Sequence, residues 1–284
     1  MTEVLGILGP GVLGLSLAQW AAERGLQVRL MGRDRTHAER GLAELTRRWG
    51  VLAAKGKLAE GARETLEARV RALEPGRWED CTVVLEATPE DPDLKTRIWK
   101  GLAERLLPSV LCLTGSSALP VAALAREAGL EGRLLGFHLF VPVRSMRVVE
   151  LVVPTGSETA SLERARRLGE ALGLQVAEVR DGAGYAAARM SLALGLEAMR
   201  LLEEGVAGAA DLDLLMKVGY GHPIGPIELS DRVGLDLRLA IVDRLRDACG
   251  ERFQAPGILR ERVARGDLGL KSGRGFLDWA GEVP

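Results

Sequence analysis

The chain has 284 residues, of which 47% are hydrophobic and 27% are charged, a composition typical of a globular protein with a substantial core. Its net charge of −1 argues against nucleic-acid and anionic-membrane partners, and its three scattered cysteines are too few for a disulfide framework. It contains no asparagine, which excludes N-glycosylation and any catalytic Asn, and a scarcity of thermolabile amides is one habit of thermophile proteins.

The first part of the chain alternates short apolar runs with longer amphipathic ones. The predicted strands are residues 4–8, 27–31, 82–87, 110–113, 134–137, 148–153 and 176–179. The helical patterns cover residues 13–24, 37–73, 93–106, 121–128 and 158–172. This alternation predicts an α/β domain, a doubly wound parallel sheet with helices on both faces.

After Tyr185 the strand patterns stop. Helical patterns cover residues 186–204, 211–217, 236–249 and 256–265, and the run Asp-Gly-Ala-Gly at 181–184 interrupts the periodicity. We therefore predict an α/β domain over residues 1–182 and an all-helical C-terminal domain over residues 183–284. The N-terminus has no signal-peptide pattern and the longest uncharged stretch is broken by proline and glycine, so we expect a cytoplasmic protein without a membrane span.

The loop after the first predicted strand carries a dinucleotide-binding fingerprint. The run Gly9-Pro10-Gly11-Val12-Leu13-Gly14 fits G-x-G-x-x-G and stands between a strand and a helix. In this motif the first glycine allows a tight turn, the second lets the backbone approach the pyrophosphate, and the third lets helix and strand pack closely. The phosphates meet free N–H groups at the helix N-terminus. We therefore predict a Rossmann-type domain in which residues 9 and 11–14 bind a dinucleotide.

The end of the second predicted strand leaves the choice of dinucleotide open. An acidic residue normally stands there and binds the ribose hydroxyls. In this chain the position is Gly32, followed by Arg33 and Asp34. Arg33 could meet a 2′-phosphate, which would favour NADP, or be a solvated surface residue, and Asp34 could reach the ribose if the loop bends.

One histidine stands where a parallel sheet presents its ligands. His138 follows the predicted strand 134–137, and a neutral imidazole there could accept a hydroxyl proton while hydride leaves to a nicotinamide. Glu150 lies in the next apolar strand and needs a partner, which the imidazole N–H would supply. The residues alone leave His138 between a base and a buried structural histidine. His37 is predicted at the surface and His222 in a structural loop.

The chain resembles the short-chain L-3-hydroxyacyl-CoA dehydrogenases, including the bacterial 3-hydroxybutyryl-CoA enzymes. The resemblance covers essentially the whole chain. Its anchors in the first half are residues 9–14, 55–57, 86–95, 114–117, 136–142 and 149–150, and those in the second half are residues 203–207, 221–229, 234–236 and 269–276. Many short anchors in order and spacing make chance similarity very unlikely.

The resemblance implies a catalytic group. His138 matches the family's general base and Glu150 the carboxylate that orients it. Ser116 matches the serine that hydrogen-bonds the substrate hydroxyl, and Ser117 takes that place if the alignment slips by one residue. The implied reaction interconverts a 3-hydroxyacyl-CoA and its 3-keto form with a nicotinamide cofactor, NAD by family default, in fatty acid metabolism.

The resemblance also implies binding positions and an assembly. Glu90 and Lys95 match positions that contact the dinucleotide, and Lys55 matches a lysine near the CoA phosphates. The helical domain is implied to close the cleft and to form a homodimer. No metal site is expected.

The clearest departure from the family lies at the start of the second domain. The family's active-site Asn, which contacts substrate and catalytic groups, is Ala188 here, and alanine can neither donate nor accept a hydrogen bond. The pocket around His138 is also expected to be more apolar, because Leu139 stands in place of the family's Phe and Val141 in place of its Asn. Two further hypotheses therefore remain: a dehydrogenase of a CoA-free 3-hydroxy or sugar acid, and a catalytically weak protein that binds dinucleotide or CoA.

Overall fold

The computed structural model describes residues 3–78 and 80–281. The chain divides into two compact units, Met1–Gly182 and Ala183–Pro284. The strands of the first unit are β1 (Val4–Leu8), β2 (Gln27–Met31), β3 (Val70–Ala72), β4 (Val83–Glu86), β5 (Leu111–Thr114), β6 (Leu134–Leu139), β7 (Val148–Val153) and β8 (Gln175–Arg180). Its helices are α1 (Val12–Glu23), α2 (Arg35–Ala54), α3 (Ala62–Arg69), α4 (Pro92–Ala103), α5 (Val121–Ala128) and α6 (Thr159–Ala171).

The strands form one eight-stranded sheet in the order β3-β2-β1-β4-β5-β6-β7-β8. One core cluster joins strand residues such as Leu5, Ile7 and Leu85 to apolar residues of α1, α2 and α6. The strand order reverses between β1 and β4, and ligands of doubly wound sheets bind at the carboxyl ends of strands beside such a reversal. The predicted fold class, a Rossmann-type domain followed by a helical domain, is confirmed.

The expectation of an all-parallel sheet is wrong at one place. β7 runs antiparallel to β6, with His138 opposite Glu150, whereas the other strand pairs of the sheet are parallel. Only residues 140–147 connect β6 to β7, and a parallel connection needs a crossover of about a dozen residues or more. The short connection therefore forces the chain to turn back.

The long helical pattern at residues 37–73 is also wrong in part. It contains α2, a break with Gly56 and Gly61 at positive φ, α3, and then the short strand β3. Val70 of β3 is buried and pairs with Val28 of β2. Pairing at the sheet edge thus overrides a local composition that favours helix.

The second unit is helical. Its helices are α7 (Ala187–Glu203), α8 (Ala209–Leu214) continued by a π-helical turn at Leu215–Gly219, α9 (Pro226–Val233), α10 (Leu235–Cys249) and α11 (Gly257–Arg265). The sequence pattern did not predict α9. At its start the Asp213 carboxylate of α8 accepts the N–H groups of Ile227 and Glu228. In the described part of the chain, no helix combines the length and apolar character needed to cross a membrane.

Candidate active site

The fingerprint loop forms a tight turn between β1 and α1. Gly9 has a φ of +109°, and a Cβ there would lie 2.6 Å from the Ala87 carbonyl oxygen. A Cβ at Gly14 would lie 1.9 Å from the Gly9 carbonyl oxygen, whereas a Cβ at Gly11 would meet nothing within 4 Å. The turn is therefore tightly packed against the protein at Gly9 and Gly14 and open at Gly11, next to the N-terminus of α1. This arrangement fits the pyrophosphate of a dinucleotide.

A cavity of about 600 Å³ lies beside this turn. It is lined by Leu8, Gly9, Gly11, Gly32, Arg33, His37, Ala87, Thr88, Pro89, Leu94 and Ile98. Its wall joins the ends of β1, β2 and β4, so it occupies the position at which this fold holds the adenosine half of a dinucleotide. Val12 and Leu13 follow the turn in the first turn of α1, and the Val12 side chain is exposed. His37, predicted at the surface, is half-buried at this cavity.

His138 and Glu150 form a buried pair. His138 lies inside β6 rather than after it, and His138 Nδ1 is 2.8 Å from Glu150 Oε2. The exposed fractions of the two side chains are 10% and 4%. Because a carboxylate only accepts, it favours the tautomer in which Nδ1–H donates to Glu150 and Nε2 carries the lone pair. The Phe140 ring also packs on the imidazole, with ring centroids 4.8 Å apart. In this arrangement Nε2 can accept a proton, as a general base must.

A second buried charge cluster joins the ends of β4 and β5 to α4. Lys95 Nζ donates to both carboxylate oxygens of Glu86, at 2.8 and 3.0 Å, and to the Thr88 carbonyl oxygen at 3.1 Å. Thr114 Oγ1 donates to Glu86 at 2.7 Å, and the backbone N–H and hydroxyl of Thr88 donate to it too. The exposed fraction of the Lys95 side chain is 1%. Its amine is therefore occupied inside the protein, and the predicted contact between Lys95 and the dinucleotide stays a prediction.

Glu90 links this cluster to the predicted substrate serine. Glu90 Oε2 lies 3.6 Å from Lys95 Nζ, and Glu90 Oε1 accepts from the Ser116 hydroxyl at 2.6 Å. The same oxygen accepts the backbone N–H groups of Ser117 and Ala118, both at 2.9 Å. Ser116 is buried and Ser117 is exposed. The Glu90 carboxylate thus fixes the loop that carries Ser116 and Ser117. The two serines differ sharply in solvent exposure.

The other residues singled out in the sequence lie on the following elements. Lys55 is exposed and directly follows the C-terminus of α2. Ala188 is a half-buried residue of the first turn of α7, in the second unit, and His222 lies in the loop before α9. Sequence reasoning missed Glu86 and Thr114, although a carboxylate that ends the apolar run Val83–Glu86 was a usable signal.

Comparison with protein-family models decides the family. Residues 4–182 match the model of the 3-hydroxyacyl-CoA dehydrogenase NAD-binding domain, and residues 184–279 match that of the 3-hydroxyacyl-CoA dehydrogenase C-terminal domain. The chain belongs to the 3-hydroxyacyl-CoA dehydrogenase family. The resemblance found in the sequence is thereby confirmed.

Individual members of the 3-hydroxyacyl-CoA dehydrogenase family are similar along the whole chain. A probable 3-hydroxybutyryl-CoA dehydrogenase of Bacillus subtilis is 34% identical over 279 residues, covering 96% of this chain and 96% of that protein. A protein of the same description from Deinococcus radiodurans is 33% identical, covering 96% of this chain and 99% of that protein. The crystal structure of (S)-3-hydroxybutyryl-CoA dehydrogenase from Ralstonia eutropha superposes with a TM-score of 0.94 at 29% identity, covering 99% of this chain and 100% of that one.

Proposed function

We propose that this protein is a nicotinamide-dependent oxidoreductase that interconverts a 3-hydroxyacyl-CoA, of the 3-hydroxybutyryl-CoA type, and its 3-keto form. The buried pair of His138 and Glu150 is the observation that carries this proposal, because it supplies an oriented base in a domain built to bind a dinucleotide. The names of the similar proteins supply the substrate class.

In the proposed oxidation, Glu150 holds the Nδ1–H of His138 and His138 Nε2 takes the proton of the substrate hydroxyl. A dinucleotide held by the Gly9–Gly14 turn would supply a nicotinamide as the acceptor of the hydride from substrate C3. In the reverse direction, His138 returns the proton to the oxygen. The Glu150 carboxylate keeps accepting the Nδ1–H and stabilises the imidazolium that forms.

The dinucleotide is proposed to lie on Gly9, Gly11, Val12, Leu13 and Gly14 and to extend into the cavity beside them. The proposed dinucleotide is NAD by family default. NADP is the alternative, because Gly32 and Arg33 stand where an acidic residue would bind the ribose of NAD. Glu90 and Lys95 are proposed to act at this site as well. Because the Lys95 amine is bound to Glu86, we assign it a positioning role that acts through Glu90.

The substrate is proposed to use Ser116 or Ser117 for its hydroxyl and Lys55 for its CoA phosphates. Ala188 stands at the position of the family's active-site amide and offers only a methyl group. A homodimer that works in the cytoplasm is the assembly we propose.

Steady-state oxidation of NADH and NADPH with acetoacetyl-CoA tests the proposal, with acetoacetate as the CoA-free comparison. We expect turnover with the thioester and loss of turnover in His138→Ala. Ala188 is the observation that favours a second candidate, a dehydrogenase of a CoA-free 3-hydroxy or sugar acid. Equal rates with the thioester and the free acid would support that candidate. Dinucleotide binding without any turnover would instead mark a binding protein and overturn the proposed activity.

A further inference from the structure

The end of β2 is closed to an acidic side chain. A Cβ added to Gly32 would lie 2.8 Å from His37 Cβ, 3.0 Å from His37 Cγ and 3.0 Å from the Ala38 backbone nitrogen. All three atoms belong to the first turn of α2 and one of them is backbone, so they cannot all move aside without disturbing the helix. An aspartate or glutamate that accepts both ribose hydroxyls therefore has no room at this position.

The nearest acid is engaged elsewhere. Asp34 precedes α2, and its carboxylate accepts the His37 backbone N–H at 2.6 Å, which caps the helix. This hydrogen bond is the main reason why the pKa of Asp34 lies below its ordinary value. The other carboxylate oxygen lies 3.3 Å from Arg33 Nε. Turning Asp34 towards a ribose would uncap α2, so the ribose end of the cavity is left without a free acidic acceptor from this segment.

Arg33 is the charged side chain in the wall of that cavity. It is 76% exposed, and its partner Asp34 is 51% exposed. Solvent screens an ion pair at such a surface, so this contact is too weak to hold the guanidinium back from a stronger anion. Guanidinium binds phosphate through paired charge-assisted hydrogen bonds.

We propose that this site selects a dinucleotide with a phosphate on the 2′-oxygen of its adenosine ribose, NADP(H) rather than NAD(H), and that Arg33 binds this phosphate. The inference rests on the proposed function, which requires a dinucleotide in this cavity. Three residues support this selection: Gly32 leaves no room for an acidic side chain, Asp34 caps α2, and Arg33 is available to bind the phosphate.

Direct binding tests the inference without turnover. NADPH and NADH are titrated separately into the purified full chain and followed by the fluorescence of the reduced nicotinamide, and adenosine 2′,5′-bisphosphate and 5′-AMP are compared as competitors. Loss of charge-assisted hydrogen bonds to a phosphate corresponds to a change of about 10- to 100-fold in Kd. We expect the unmodified chain to bind NADPH more tightly than NADH. In Arg33→Ala, the Kd for NADPH should rise by this factor, whereas the Kd for NADH should change by less than about twofold.

Arg35→Ala is the matched control. Arg35 is also exposed and stands two residues further on, but its guanidinium is paired with Glu39 and Glu74. We expect this variant to leave both affinities unchanged. Tighter binding of NADH by the unmodified chain, or equal weakening of both coenzymes in Arg33→Ala, would overturn the inference while leaving the proposed function intact. Failure of both coenzymes to bind would overturn the two together.

Discussion

His138 and Glu150 are direct cross-strand neighbours in the antiparallel pair of β6 and β7, and the imidazole and carboxylate meet at 2.8 Å. The backbone register therefore sets their contact, so little side-chain freedom has to be lost to form it. Both groups are buried, which strengthens the hydrogen bond and keeps water from competing for it. The imidazole proposed as the base is therefore preorganised before any substrate arrives.

Replacement of Glu150 by glutamine tests this orienting role. The amide can present an N–H to Nδ1 and favour the wrong tautomer, so we expect kcat for acetoacetyl-CoA reduction to fall by about 10²- to 10⁴-fold. The Kd of the reduced dinucleotide should stay within about twofold, which separates an effect on the base from a loss of fold. Glu178→Gln on the exposed strand β8 is the control and should keep full activity. Unchanged kcat in Glu150→Gln would contradict the orienting role.

Alanine substitution of the two serines that follow β5 should have different effects on kcat/KM. If Ser116 holds the substrate hydroxyl, Ser116→Ala should lower kcat/KM by about 10- to 100-fold and Ser117→Ala should have little effect. Ser116→Ala also removes a hydrogen bond to Glu90, so the thermal midpoint of both variants is measured alongside. A loss of kcat/KM confined to Ser117→Ala would transfer the substrate contact to the exposed serine and leave Ser116 as a structural residue of the loop.

The parts of the site that depend on local spacing were predictable from the sequence. The glycine turn needs only a strand, three glycines and a helix in order. The pair His138–Glu150 needs two apolar strands with a connection too short for a crossover, and that connection also carried the signal for the antiparallel strand that the sequence interpretation overlooked. Both features lie on adjacent elements of the chain, so pattern and separation are enough.

The parts that depend on how elements pack in three dimensions were not predictable from spacing alone. The cluster of Glu86, Lys95 and Glu90 forms because the ends of β4 and β5 converge on the first turn of α4. The charge pattern alone predicts a surface lysine or a ligand contact at Lys95, whereas tertiary packing buries its side chain. The closure of Gly32 by His37 has the same origin, because it arises from the angle at which α2 leaves the sheet.

Removal of the Lys95 amine should destabilise the protein strongly. Lys95→Met leaves the Glu86 carboxylate buried without its cation, which typically costs about 3–5 kcal/mol in the free energy of unfolding. Adding Glu86→Gln removes the uncompensated charge, so the double variant should recover part of that loss. Urea unfolding measures both. Lys100, on the same helix as Lys95, forms an exposed pair with Glu127 of α5, and Lys100→Met should cost less than about 1 kcal/mol. A similar small cost for Lys95→Met would show that water or relaxation relieves the buried carboxylate.

The helical unit carries a buried cation that should weaken it. The Arg238 side chain on α10 packs against Gly195 of α7, where a Cβ would lie 3.1 Å from Nη1, and its buried Nε has no hydrogen-bond partner among the described residues. Burial alone lowers the pKa of Arg238 to about 10. Since an unsatisfied buried donor costs about 1–3 kcal/mol, and more when charged, Arg238→Met should raise the free energy of unfolding by about that amount.

Arg244→Met makes the same change at an exposed position of α10 and should alter the stability by less than about 0.5 kcal/mol. Chemical unfolding of the two variants beside the unmodified chain measures the difference. Most substitutions in a core lower the free energy of unfolding, whereas Arg238→Met is expected to raise it. The direction of the change is therefore itself a test. A marked destabilisation in Arg238→Met alone would mean that the guanidinium stabilises the helical unit through an anion or an ordered water, and the same measurement repeated with added carboxylate or chloride would identify which.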